Sequence, residues 1–256
     1  MLFINLLLYF LFFCFGTIIG SFLNCLLYRL EVNKSFVFGR SICPKCKHEL
    51  AWNDLIPIFS FVFLGGRCRY CKKRISFQYP LIEIISGILL VALFWYAGLT
   101  IEFGFLAFIF FCMLAIFIYD LRHFIIPDKI LFPLIFATFV YVSITNSIVL
   151  PLLSALGAAL FFLIIYLVSK GKWMGFGDVK LAVFLGLFLS WPNIALGLFL
   201  SFVIGAIIGI GLMIFSNKGL KSEVPFGPFL ITGSIIAFFC GQEIINWYLN
   251  LLGFYV

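Results

Sequence analysis

Charge is what this sequence has least of. Asp, Glu, Lys and Arg make up 11% of the chain against 64% hydrophobic residues, and there are only two histidines. A soluble domain carries about a quarter charged residues, so this balance excludes one and points to a polytopic membrane protein with a lipid-embedded core. The sequence also lacks a G-x-G-x-x-G, a Walker sequence, an H-E-x-x-H and a G-x-S-x-G. Soluble nucleotide-binding, zinc-protease and serine-hydrolase readings therefore have no support. No transporter-type internal repeat is visible.

What charge there is, is unevenly placed. Ten of the seventeen Lys and Arg residues lie between Arg29 and Tyr79, the only long polar stretch. Apolar runs are expected to form spanning helices at Leu2 to Leu27, Leu81 to Tyr96, Phe103 to Tyr119, Ile130 to Thr145, Ile148 to Val168, Val179 to Ser190, Ile194 to Phe215 and Phe229 to Leu252. The expected fold class is thus all-α: a polytopic membrane protein of about eight transmembrane helices with a small cytoplasmic zinc-ribbon-like loop domain. The first run has no basic residue before it and no small-x-small site behind it, so it is expected to be an anchor and not a cleaved signal. Its Gly16 and Gly20 share one helical face, where a neighbouring helix can approach closely.

With eight crossings and the amino terminus outside, Arg29 to Arg74, Arg122, Lys129, Lys170, Lys172, Lys180, Lys218 and Lys221 all fall on one side. These are all seventeen basic residues, as the positive-inside rule requires of cytoplasmic segments, and the net charge of +7 needs no nucleic acid to explain it. The span from Val179 is short, and charge is what argues for its crossing: were it re-entrant, Lys218 and Lys221 would be stranded outside.

Two carboxylates stand at the cytoplasmic ends of apolar runs. Asp178 closes Gly175-Phe176-Gly177-Asp178, and Asp120 ends the run from Phe105. Ionisable groups at a membrane boundary are costly and read as functional by default. Two brought together can share one proton and activate water, which is aspartic-protease chemistry. A helix N-cap for Asp178 and a membrane-edge marker for Asp120 are the structural alternatives. A transporter also places carboxylates in helices, usually nearer the midplane, and a non-catalytic zinc-ribbon membrane scaffold would need the chain's cysteines but neither aspartate.

The polar stretch holds Cys43-Pro-Lys-Cys46 and Cys68-Arg-Tyr-Cys71. Two such knuckles form the zinc-ribbon pattern, four thiolates closing a tetrahedron around structural Zn2+. A loop of this size cannot bury enough core to fold unaided, and a metal supplies the missing energy. Disulfides are the alternative, disfavoured in a reducing cytoplasm. His48 is expected to be solvated, and Cys14, Cys25, Cys112 and Cys240, in apolar runs, to be small buried hydrophobes.

An ordered set of fragments resembles the type IV prepilin peptidase family, the bifunctional leader peptidase/N-methyltransferases. It comprises Gly20-Ser-Phe-Leu-Asn24 with Arg29, the two knuckles, Ile75-Ser76, Tyr79-Pro80-Leu-Ile-Glu83, Asp120 with Ile126-Pro127-Asp128, Gly175-Phe-Gly-Asp178-Val-Lys180-Leu, and Pro225-Phe226-Gly227-Pro228-Phe. The resemblance implies a G-x-G-D aspartic membrane protease of the bacterial inner membrane. Its active site would face the cytoplasm, with Asp120 and Asp178 as the catalytic pair and Gly175, Gly177 and Lys180 supporting the motif. It further implies prepilin-like precursors (pilins, pseudopilins or competence pilins) as substrates and S-adenosyl-L-methionine as methyl donor. Asn24, Arg29 and Glu83 are the polar residues near the membrane edge that are candidates for the methyl-donor site, interfacial anchoring and helix packing being the alternative. Asp128 matches a recurrent family position and is expected to cap the following helix. The domains implied are 1–28, a first transmembrane helix; 29–80, a cytoplasmic zinc-binding loop with the methyltransferase part; and 81–256, a seven-helix membrane peptidase domain.

Overall fold

The computed structural model describes residues 2–32, 39–145, 147–215 and 224–253. Lys218 and Lys221, on which the eight-crossing topology leaned, lie outside the described residues. The helices are α1 (Leu2–Glu31), α2 (Phe59–Phe63), α3 (Gln78–Ala97), α4 (Ile101–His123), α5 (Asp128–Thr145), α6 (Val149–Ser169), α7 (Phe176–Leu189), α8 (Asn193–Phe215) and α9 (Gly227–Leu251). Among the described residues there is no strand, only the isolated antiparallel bridges Ile42–Glu49 and Arg67–Arg74. Among the described residues, seven helices, all but α2 and α7, are long and apolar enough to cross a membrane.

Local sequence explains the breaks. Pro127 stands just before α5 and Pro228 in the first turn of α9, where a missing N–H costs nothing. α3 ends at Gly98 (φ 62°), and α6 at Lys170 and Gly171 (φ 52° and 74°), left-handed residues that close the last turn. α1 runs on through Arg29 to Glu31 and so carries the first polar residues of the loop within its last turns.

The chain divides into two compact units, Met1–Phe111 and Cys112–Val256, with the boundary inside α4. In the first, α1 packs on α3. Glycines make the approach possible: a Cβ on Gly16 would stand 2.8 Å from the Gly87 Cα, and one on Gly20 2.8 Å from the Glu83 Cα. This is the close contact that the two glycines of α1 predict.

In the second unit α7 is the hub, packing on α5, α6, α8 and α9. It is fourteen residues, about 21 Å at 1.5 Å per residue, short of a hydrocarbon layer of about 30 Å. It has no polar stripe, because neighbours cover it all round: Leu181, Ala182, Phe184 and Leu185 are fully buried. Cys14, Cys25 and Cys112 are half-buried and Cys240 is exposed, so the expectation that these four are buried fails. Their helices turn an apolar face outward as well as inward, and in lipid a thiol costs little on either side.

α6 packs closely on α7, where a Cβ on Gly186 would lie 2.6 Å from the Ala155 nitrogen. Gly186→Leu is expected to lower the melting temperature in detergent by several degrees, as overpacking does. Gly157→Leu, on α6 where an added Cβ meets nothing within 4 Å, is expected to leave it unchanged.

Candidate active site and metal centre

Asp120 and Asp178 are both buried, at 4% and 8% exposure, and Asp178 lies close enough to Asp120 to feel its charge. Asp120 sits in the last turn of α4, whose helix closes with the Phe124 N–H donating to the Asp120 carbonyl. Asp178 is not the N-cap of its helix. Gly175 is, and Asp178 stands three residues on in the first turn, with the Gly175 N–H turned back on its carboxylate. That is the return half of a capping box, and it needs no side chain on Gly175.

Two further residues complete this surround. Gly227, the first residue of α9, directs its N–H at the Asp120 carboxylate, and a Cβ there would come within 2.5 Å of Oδ2. Ile126, between α4 and α5, reaches both glycine positions. Its Cδ1 would lie 3.4 Å from a Cβ on Gly177 and 3.6 Å from one on Gly227. Ile126 is itself buried and walls the pair with hydrocarbon. Reasoning from carboxylates alone passed over both residues, although they lie in the I-P-D and P-F-G-P fragments.

Lys180, two residues beyond Asp178, pairs with Asp128 in the first turn of α5. Its ammonium stands 5.8 Å from the ring centroids of Phe132 and Phe176. Asp128 is thus not a cap: α5 opens with the Ile130 and Leu131 N–H groups donating to the Pro127 carbonyl, and the Asp128 side chain is given to Lys180. The pair ties the start of α5 to the start of α7.

In the loop, the sulfurs of Cys43, Cys46, Cys68 and Cys71 all lie within 4.8 Å of one another. Zn–S bonds of about 2.3 Å in a tetrahedron need sulfurs about 3.8 Å apart, so a small contraction closes the site. The two knuckles repeat each other bond for bond. Cys43 N–H donates to the His48 carbonyl as Cys68 N–H does to that of Lys73, and Lys47 N–H donates to the Cys43 carbonyl as Lys72 N–H does to that of Cys68. Lys47 and Lys72 are both left-handed, at φ 61° and 58°.

Burial opposes ionising the Cys43 thiol, but the N–H groups of Cys46 and Lys45 outweigh it and bring it down to about 7. The His48 N–H favours a thiolate at Cys46 too, yet desolvation and the sulfurs of Cys43 and Cys71 push it up to about 11. Four sulfurs this close cannot all ionise without a cation between them, and the donor set fits zinc. With four cysteines the shell is closed, so an ion there would fold the loop and take no part in chemistry. His48 is exposed and packs on the Tyr70 ring instead, at 3.7 Å between centroids.

The three candidate methyl-donor residues, all buried, bond to this chain's own backbone. Asn24 Nδ2 donates to the Tyr79 carbonyl (3.1 Å), Arg29 to the Gly39 carbonyl (2.5 Å), and Glu83 Oε2 accepts from the Ile58 N–H (2.7 Å). The Arg29 and Glu83 bonds join the loop to α1 and α3, and the Asn24 bond ties α1 to the first turn of α3. They fit an anchor for the loop, and among the described residues these side chains form no cradle for S-adenosylmethionine.

Purified chain is expected to carry one zinc by elemental analysis. Cys68→Ser is expected to remove nearly all of it and to open residues 39–77 to limited proteolysis, since structural zinc contributes folding energy outright.

Comparison with known proteins bears on both units. Residues 14–97 match the bacterial peptidase A24 N-terminal domain, and residues 106–210 match the type IV leader peptidase family. The chain is similar to the prepilin leader peptidase/N-methyltransferases of Aeromonas salmonicida (32% identity, 94% of this chain and 93% of the relative), Bacillus subtilis (34%, 93% and 97%) and Pseudomonas aeruginosa (29%, 93% and 92%). No solved structure matches it. The two family matches, and relatives above 30% identity along nearly the whole length, place the chain in the type IV leader peptidase family.

Proposed function

We propose that this chain is a membrane aspartic endopeptidase that removes the leader of type IV prepilin-like proteins and N-methylates the residue so exposed. The observation that carries the protease half is the pair of buried carboxylates, Asp120 and Asp178, within reach of each other's charge and each met by a backbone N–H. One ionised carboxylate takes a proton from water as it attacks the scissile carbonyl, while the protonated partner hydrogen-bonds the carbonyl oxygen. The tetrahedral intermediate then collapses as the amine leaves with a proton from the pair. The Gly227 and Gly175 N–H groups hold the two carboxyls in place, and Ile126 keeps bulk water away.

The methyltransferase half rests on the family and on the names of its relatives. Its donor is S-adenosylmethionine, and the segment 29–80 is assigned to it, with 81–256 as the peptidase domain. The proposal puts the chain in the inner membrane of a bacterial cell, which its long apolar helices and its family support. The basic residues beside Asp120 and Asp178, among them Arg122, Lys129 and Lys180, support a site that faces the cytoplasm. Pilins, pseudopilins and competence pilins all fit the substrate class.

Asp120→Asn and Asp178→Asn are expected to reduce cleavage of a prepilin-like precursor by at least about a thousandfold with folding retained, because an amide can neither accept nor give up the shared proton. Mass spectrometry of the product reads it, and full activity in either variant removes the aspartic mechanism. Solute uptake into vesicles without cleavage would point to a transporter, and neither activity to a scaffold. Gly227→Ala drives a methyl group against Asp120. It is expected to lower kcat about a hundredfold with little change in KM, the cost of misplacing a catalytic group by about 1 Å.

A further inference from the structure

Between the two knuckles lies a segment that neither the metal centre nor the carboxylate pair uses. It opens with a turn at Trp52–Asp54, fixed to the second knuckle by the ion pair of Asp54 with Arg69 (2.6 Å). It continues to Ile58, a β-branched residue at φ 63°, where such residues are genuine outliers. A strained residue persists only where its surroundings over-determine it, and here the Glu83 carboxylate holds the Ile58 N–H at 2.7 Å. Past this point the chain forms α2, whose sequence Phe-Ser-Phe-Val-Phe offers almost no polar side chain.

The side chains around this bend face away from the protein. Phe63 is 84% exposed, and Trp52, Ile56, Phe59, Val62 and Phe77 are exposed with it. The depth of the bend is fixed by its anchor. Glu83 lies five residues into α3, about 7.5 Å along a helix long and apolar enough to cross the membrane. α2 therefore starts beside the first turns of a spanning helix, at headgroup depth and not out in water. Directly after it come Arg67, Arg69, Lys72, Lys73 and Arg74, five cations in eight residues.

We propose that Ile56–Phe63 is an interfacial membrane anchor, with its aromatic and aliphatic side chains at the headgroup/acyl boundary beside α3 and the cations of Arg67–Arg74 drawn to anionic headgroups. Aromatic residues settle at that boundary, and a basic run beside them adds attraction to anionic lipid. The Glu83 bond sets the depth and the strained Ile58 turns the chain toward lipid. The occupant is the bilayer, because a partner protein could reach this patch only from among the headgroups. The proposal rests on the membrane topology of α3 and not on the peptidase reading, so either can fail alone.

The test uses the full chain in nanodiscs, with photoreactive benzoylphenylalanine replacing Phe63 or, as control, Lys45. After irradiation, peptide mass spectrometry is expected to find lipid adducts at position 63 several-fold above those at position 45, and more with phosphatidylglycerol than with phosphatidylcholine alone. Adducts at 63 only to protein, whether a second copy or an added prepilin, or lipid adducts no more frequent than at 45, would overturn the anchor. Equal yields in the two lipids would overturn the role given to the cations. A second measurement needs no photochemistry: the double substitution Phe59→Glu, Phe63→Glu is expected to raise deuterium uptake over Ile56–Gly66 several-fold in nanodiscs at unchanged zinc content. Uptake equal to wild type would overturn the proposal.

Discussion

Burying two carboxylates near each other inside an apolar bundle is the constraint that the second unit is built around. Each ionised group removed from water costs several kcal/mol, and a second one beside it adds repulsion. Among the described residues the structure supplies little in return: a backbone N–H to each, from Gly227 and from Gly175. Such an arrangement is poor for stability, and that is the argument for function. The stabilising work is done elsewhere, by the apolar packing of α7 against four neighbours and by the cation of Lys180, which is taken up by Asp128.

This explains why α7 is short and central. A helix crowded by others on every side needs no polar face, and it can begin inside the bundle so that its first turn, with free N–H groups, lies where Asp178 must be held. Gly177 then follows from space, since a Cβ there would stand 3.2 Å from the Ile126 Cβ. Gly175 contributes its N–H to Asp178, and an added Cβ there would meet nothing nearer than 3.9 Å.

Much of this was legible in the sequence, and what was not has a physical reason. Asp120 and Asp178 stood out because charge is rare in apolar runs, and the four cysteines because their spacing has few other uses. The close face of Gly16 and Gly20 was readable from helical periodicity. Gly227 was not, since a glycine before a proline looks like a helix start and nothing in the chain order says which carboxylate its N–H will meet. The Lys180–Asp128 pair was missed for the same reason. The two residues lie fifty-two apart, and Asp128 after a proline offers a local capping role that hides the distant one.

The roles of Asn24, Arg29 and Glu83 show the limit from the other side. A polar residue at a membrane edge invites a ligand, but each of these is bonded to a backbone atom: Arg29 and Glu83 to Gly39 and Ile58 of the loop, and Asn24 to Tyr79 in the first turn of α3. A buried backbone group must be paired, and in a loop with no strand, two bridges and one metal cluster among the described residues, partners are few. Side chains from the neighbouring spanning helices fill that need. A loop too small to make its own core is thus held by two kinds of tie, thiolates within it and polar side chains from α1 and α3. Loss of the metal would loosen the knuckles while leaving the attachments at Gly39 and Ile58 in place.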